Sequence, residues 1–175
     1  DHVKILKAAE IVAKEKIAIP LLLGNQEKIL SLMDEYAITI PNVEIVDPRD
    51  DAHAHVRTEF GKSLFEKRKR KGTTLHESIT NMYTRNYFGA MLVENGMADA
   101  LITGLTRSYP TSLKPLLQIF GKENNINTIA GMYIINTKRG SFFFADTTIN
   151  KNPTAQQLEE IALLASRAVK FLKRT

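Results

Sequence analysis

Apolar positions along this chain switch repeatedly between helical and strand spacing. Val3, Leu6, Ile11 and Val12 form a helical stripe, and residues 19–23 (IPLLL) read as a buried strand closed by Gly24. Asn25 is placed to cap a helix carrying Ile29, Leu32 and Met33, and residues 43–46 (VEIV) give the next strand, ended by Asp47-Pro48. A long polar helix is predicted from about residue 50 to residue 71, with Gly72 as its stop, and Thr74-x-x-Glu77 is a capping box that opens another. The helix over 86–95 ends at Gly96, a residue suited to the left-handed stop, and residues 100–103 (ALIT) form a short apolar strand before Gly104. Strand, crossover helix and strand in repetition predict an α/β fold of three layers, a parallel-type sheet covered by helices on both faces.

After Gly121 the pattern changes. The polar stretch KENNIN leads to residues 129–136, a turn at Lys138-Arg139-Gly140 and a second run at 141–145, which together predict a β-hairpin. Thr154-Ala155-Gln156-Gln157 is a capping box for a last helix, with a stripe through Leu158, Ile161, Ala162, Ala165, Ala168, Val169 and Leu172.

With 175 residues and 43% hydrophobic composition the chain can bury one good core. No apolar run approaches the roughly 20 residues needed to span a bilayer, and the opening DHVKILKAAE is no signal peptide, so a soluble protein with no membrane partner is expected. Cysteine is absent, which excludes disulfides, thiolate catalysis and cysteine-ligated zinc, and fits a cytoplasmic setting. The net charge of +5 is concentrated in residues 62–71 and 167–174. With no Trp and no aromatic ribonucleoprotein motif, no nucleic-acid partner is expected.

The stretch from Asn86 to Gln118, NYFGAMLVENGMADALITGLTRSYPTSLKPLLQ, sets a helix, a strand, a glycine turn and a hydroxyl-rich helix start in one line. Thr106, Arg107, Ser108, Thr111 and Ser112 stand where a new helix begins, and a helix N-terminus offers free N–H groups and partial positive charge to a phosphate or carboxylate. The same residues also serve as plain caps of a strand-to-helix connection, and spacing alone leaves both readings open.

YFGAMLVENGMADALITGL resembles the YFG-MMV-x-x-G-x-ADA-x-x-SG signature of the phosphate acetyl/butyryltransferase family. The likeness extends upstream through VEIVDPRDD and EKRKRKGTTL and downstream through FFFADTTINKNPTAQQLEEIA. It implies a truncated phosphotransacetylase-like fold: a first α/β domain at 1–124 lacking its initial strand, and the beginning of a second α/β domain at 125–175. The returning segment that carries a Ser-Arg catalytic pair in the family has no counterpart here, so no catalytic residue is assigned.

Within that family GLTRSYP, AGMYIINTKRG and FADTTIN are most similar to the C-terminal, phosphotransacetylase-like part of bacterial malic enzymes. The family reads SGA-x-x-ST-x-D-x-x-RP over the first of these words; Tyr109 falls at the second hydroxyl position and Lys114 at the arginine. Arginine grips a phosphate with a planar fork, whereas lysine attracts it as a point charge. The expectation is therefore a regulatory domain of an NAD(P)-dependent malic enzyme, sensing acetyl-CoA as effector and aiding a homo-oligomer through the second domain. NAD(P) and a divalent metal are then expected only in a malate-oxidising half, with no cofactor in this chain. The alternative is an active phosphate acetyltransferase, moving acetyl from CoA to phosphate.

The resemblance implies acyl-CoA or phosphate binding by Arg68, Thr106, Arg107, Ser108, Tyr109 and Lys114. Arg68 aligns with an arginine of the family's ELRK-x-KG word and Arg70 assists it; the bland reading of residues 67–71 is a solvated helix end. Asp146 and Asn150, in FADTTIN, are further contacts or else turn and cap chemistry. His53-x-His55 lacks an evident third ligand, so no metal site is expected. Phe88, Met91, Leu92 and Met97 are expected in the core.

Overall fold

The computed structural model describes residues 2–172, so Lys173 and Arg174 of the basic terminal run lie outside the described residues. The chain divides into two compact units, Asp1–Gly121 and Lys122–Thr175. The first runs α1 (Val3–Lys14), β1 (Leu21–Leu23), α2 (Gln26–Glu35), β2 (Glu44–Val46), α3 (Ala54–Arg68), α4 (Leu75–Asn81), α5 (Arg85–Glu94) and α6 (Tyr109–Ile119), with single 3-10 turns before and after α3. β1 and β2 pair in parallel, Leu21 opposite Glu44 and Leu23 opposite Val46.

Successive strand side chains point to opposite faces, and that alternation builds the layers. Leu21, Leu23 and Val46 join a core with Phe60 and Leu64 of α3, Phe88 and Met91 of α5 and Ile119 of α6. Leu22 and Ile45 join another with Leu6 and Ala9 of α1 and Ile29 of α2. The mixed α/β fold is therefore a small parallel sheet between two helical layers.

Local signals set most boundaries. The Asn25 side chain accepts from the Lys28 N–H, Thr74 accepts from the Glu77 N–H, and Gly72 ends the turn after α3 at φ 83°. Gly89 is required by close approach: a Cβ there would lie 2.8 Å from Leu23 Cδ1 and 2.9 Å from Leu101 Cδ1.

Four sequence expectations are corrected. Residues 100–103 carry no strand pairing; Leu101 alone packs inward while Ile102 is 98% exposed, so the segment lacks the two buried faces of an interior strand. Ile11 is exposed, and the inward stripe of α1 runs through Leu6 and Ala9, with Val3 and Ala13 packed at its margins. Met97 lies past the Gly96 stop of α5 and is exposed, whereas Phe88, Met91 and Leu92 are buried as expected. In the final helix only Ile161 of the expected stripe is buried; Leu158, Ala162 and Leu172 are exposed.

The second unit consists of β3 (Met132–Thr137), β4 (Gly140–Ala145) and α7 (Ala155–Leu172). The strands pair antiparallel with Thr137 opposite Gly140, which leaves Lys138-Arg139 as a two-residue turn. At the start of α7 the capping box is reciprocal: the Gln157 N–H donates to Thr154 Oγ1 at 3.3 Å and the Thr154 N–H to Gln157 Oε1 at 2.8 Å. No helix among the described residues is long and apolar enough to cross a membrane.

Candidate functional site

The start of α6 is the most developed polar feature of the first unit. Gly104 sits at φ 124° and its carbonyl accepts from the Arg107 N–H at 3.1 Å, which turns the chain toward the helix. Ser108 is the N-cap residue, yet its side chain makes no capping bond; its hydroxyl instead pairs with that of Thr111 at 2.7 Å. The first intrahelical bond runs from the Ser112 N–H to the Ser108 carbonyl. The N–H groups of Tyr109 and Thr111 therefore precede the helical ladder, and Pro110 has none.

Thr106, Arg107, Ser108 and Tyr109 are exposed on this turn, and Lys114 is exposed one turn further along α6. Lys114 shares a helix face with Pro110 and Thr111, so its ammonium is on the side of the helix start. No acidic residue occurs between 100 and 118, and the positive end of the helix dipole is thus unopposed along this stretch.

Asn86, which sequence reasoning assigned no role, holds this corner together. Pro115 lacks the N–H that would bond the Thr111 carbonyl, and the Asn86 amide donates to that carbonyl at 3.3 Å. The Asn86 side-chain oxygen accepts from Thr103 Oγ1 at 2.7 Å. One side chain on α5 thereby ties the end of the 100–103 segment to the first turn of α6. The proline inside an apolar helical pattern was the available signal.

The basic run at the end of α3 and just beyond it is not uniformly solvated. Lys67 pairs with Glu94 and donates to the Ile119 carbonyl at 3.3 Å; Lys69 pairs with Glu66. Arg68 is half-buried with an unpartnered, buried Nε, while Arg70 is exposed. The Tyr87 hydroxyl is held above its usual range by burial first and by the Glu77 carboxylate second, with the Arg68 charge opposing. That hydroxyl meets Gln118 Oε1 at 2.5 Å. Arg68 thus lies close enough to Tyr87 for its charge to be felt at that hydroxyl, and its neighbour Lys67 reaches the last turn of α6. Thr106, Arg107, Ser108, Tyr109 and Lys114 stand together at the start of α6, while Arg68 lies at the end of α3 beside Lys67, which bonds the other end of α6.

Arg57 was read as part of a polar helix, but only 2% of it is exposed. Its guanidinium donates to the Pro48 carbonyl at 2.9 Å and to the Asp50 carbonyl, and stacks 4.4 Å from the Tyr83 ring centroid. It pins the loop after β2. His53 lies near the Phe88 ring while His55 is exposed beside Glu59, and among the described residues no group of His, Asp and Glu is placed to hold a metal ion.

In the second unit Asp146 and Asn150 form a closed knot. Asp146 accepts from the N–H groups of Gly131 at 2.8 Å, Thr148 at 3.1 Å and Asn150 at 2.6 Å, and from the Asn150 amide at 2.6 Å. That amide also donates to the Ile129 carbonyl at 2.8 Å. Burial works against the Asp146 charge, but these donors outweigh it and hold the carboxyl well below the usual carboxylate range.

The whole chain, residues 1–175, matches the family described as phosphate acetyl/butaryl transferase. It is 30% identical over 168 residues to a phosphate acetyltransferase of Bacillus subtilis, covering 96% of this chain and 51% of that protein. Among solved structures it is similar to the EutD phosphotransacetylase of Staphylococcus aureus, with a TM-score of 0.75 and 30% identity over 90% of this chain and 47% of the other. A phosphotransacetylase of Streptococcus pyogenes superposes with a TM-score of 0.81 at 29% identity, over 93% and 49%. The chain thus spans about half the length of these relatives.

These findings correct the malate-linked regulatory reading. Relatives alike over nearly the entire chain are named phosphate acetyltransferase, and the reading had rested on three short words and two positions. Both positions, Tyr109 and Lys114, are exposed at the start of α6, where a changed side chain leaves the buried frame of the corner intact. The effector role of acetyl-CoA, and the NAD(P) and metal of a malate-oxidising half, are withdrawn with it.

Proposed function

The chain belongs to the phosphate acetyl/butaryl transferase family, and on that premise we propose that it is part of a phosphate acyltransferase moving an acetyl group between CoA and inorganic phosphate. The observation that carries this reading is family likeness along the entire chain, joined to a helix start that carries hydroxyls, an arginine and a lysine with no acidic residue between positions 100 and 118.

In the forward direction a phosphate oxygen attacks the thioester carbonyl carbon. The carbon–sulfur bond breaks, its electron pair leaves with sulfur, and the products are acetyl phosphate and CoA. The first requirement is to hold a phosphate beside the thioester, because orientation removes much of the entropic barrier. In this proposal the N-terminus of α6 receives the phosphate, Ser108 and Thr111 donate to its oxygens, and Arg107 and Lys114 balance its charge. Asn86 fixes the corner on which these groups stand. Arg68 and Arg70, at the end of α3 and just after it, serve a second anionic group of the extended acyl-CoA, supported by the buried and unpartnered Arg68 Nε. A cytoplasmic setting and a homo-oligomer through the second unit complete the proposal. Exposed Tyr133, Ile135, Phe142 and Phe144 on the hairpin support the latter, which sedimentation of the full-length protein tests.

The deciding assay is release of free CoA from acetyl-CoA by the full-length natural protein, with and without inorganic phosphate. Phosphate-dependent release at an ordinary enzymatic rate, on the order of 1 s⁻¹ or more, is expected. Release that is absent, or indifferent to phosphate, would reject the acyltransferase reading.

A further inference from the structure

Ser112 carries a hydroxyl that neither the packing nor the capping of α6 uses. The residue is 8% exposed, its N–H is committed to the Ser108 carbonyl, and its Oγ is buried without a hydrogen-bond partner. A helical serine ordinarily turns its hydroxyl back to the carbonyl four residues earlier, and this one does not. Buried hydroxyls are seldom left unpaired, because water is given up with nothing in exchange.

Gly104 shows where that hydroxyl faces. A Cβ built on Gly104 would find Ser112 Oγ at 4.0 Å and, its chain neighbours aside, no other atom that near among the described residues. The Ser112 hydroxyl therefore points toward the position that glycine leaves without a side chain. The first turn of α6 leads into Ser112, with the N–H groups of Tyr109 and Thr111 ahead of the helical ladder and no acidic residue between positions 100 and 118. A donor hydroxyl, free N–H groups and unopposed positive charge select an anion with several acceptor oxygens.

We propose that Ser112 donates its hydroxyl hydrogen to an oxygen of a phosphate group seated over Gly104 at the N-terminus of α6. The contact rests on the acyltransferase reading only for the source of that phosphate, which is inorganic phosphate or a phosphate of CoA. Ser112 binds and orients the anion; it exchanges no proton in the transfer.

The test is Ser112→Ala in the full-length protein, read by steady-state kinetics and by calorimetric titration with inorganic phosphate alone and with CoA alone. A KM for phosphate raised about tenfold, the loss of one hydrogen bond to a charged group, with unchanged KM for acetyl-CoA and unchanged Tm, supports the contact and makes inorganic phosphate the guest. The converse, a raised KM for acetyl-CoA alone, supports the contact with CoA as the source. The titrations need no turnover, so a protein without transferase activity would lose the proposed function while the Ser112 contact is still measured. Equal affinities of the natural protein and the variant for both ligands, or no binding of either, overturns the proposal. Should Ser112→Ala fail to fold, Ser112→Cys keeps the shape with a weaker donor, and the same comparisons decide.

Discussion

Lys114 concentrates the chemical question at the scale of a single residue. Its ammonium can draw a phosphate to the α6 corner without fixing the phosphate's orientation, whereas an arginine adds a second parallel hydrogen bond. Lys114→Arg is expected to raise kcat/KM for phosphate about tenfold, the worth of one charge-assisted hydrogen bond, and Lys114→Ala to lower it by a similar factor. Steady-state kinetics at varied phosphate checks both, and an unaltered value in both variants would remove Lys114 from the site. Asp146 poses a stability question instead. Its carboxyl is held below the ordinary value of 3.8, so its contribution is fully present above that value and is lost as pH falls through the lower folded value. Asp146→Asn replaces an accepting oxygen with a donor inside a ring of N–H groups. It is expected to cost about 1.5–3 kcal/mol at neutral pH and to flatten the decline of stability below pH 4, as read by urea denaturation across pH. A parallel decline in variant and natural protein would count against the knot.

Between elements, close packing depends on two glycines that differ in what they touch. A Cβ on Gly89 would press on the flexible ends of Leu23 and Leu101, while one on Gly61 would lie 2.5 Å from Ile79 Cγ1 and 2.7 Å from Ile79 Cα. Alanine favours a helix over glycine by about 1 kcal/mol, and overpacking costs about 1–3 kcal/mol. Side-chain ends can rotate away from Gly89→Ala, so the two terms nearly cancel there; the α4 backbone cannot yield to Gly61→Ala, and overpacking wins. Thermal melts are expected to show a Tm several degrees lower for Gly61→Ala than for Gly89→Ala, and the reverse order would refute this account of the α3–α4 contact. Most helix boundaries were legible in the sequence, because Asn25, Gly72, Thr74 and Gly96 act on their own neighbours in the chain. Residues 100–103 were not, since an apolar run marks burial but cannot say whether a partner strand lies beside it.

For the molecule as a whole, the expectation is phosphate-dependent release of CoA, and the family match along the full chain is its strongest support. The sequence by itself determined the alternation of helix and strand, the hairpin, the capping boxes and the family, since these follow from local backbone preference and from residue words read in order. It also drew attention to the hydroxyl-rich start of α6, readable either as an anion site or as plain caps. Only the tertiary structure decided which of the charged and polar side chains are already held by partners. It buried the Arg68 Nε without a partner, committed Lys67 to Glu94 and to the last turn of α6, buried Arg57 against the loop after β2, made Asn86 the brace of the corner, and left the Ser112 hydroxyl facing Gly104. Periodicity tells which face of a helix is covered, but a hydrogen-bond partner or a neighbouring charge is fixed by how distant segments pack. Residues alike in sequence therefore came to differ in what they are free to bind.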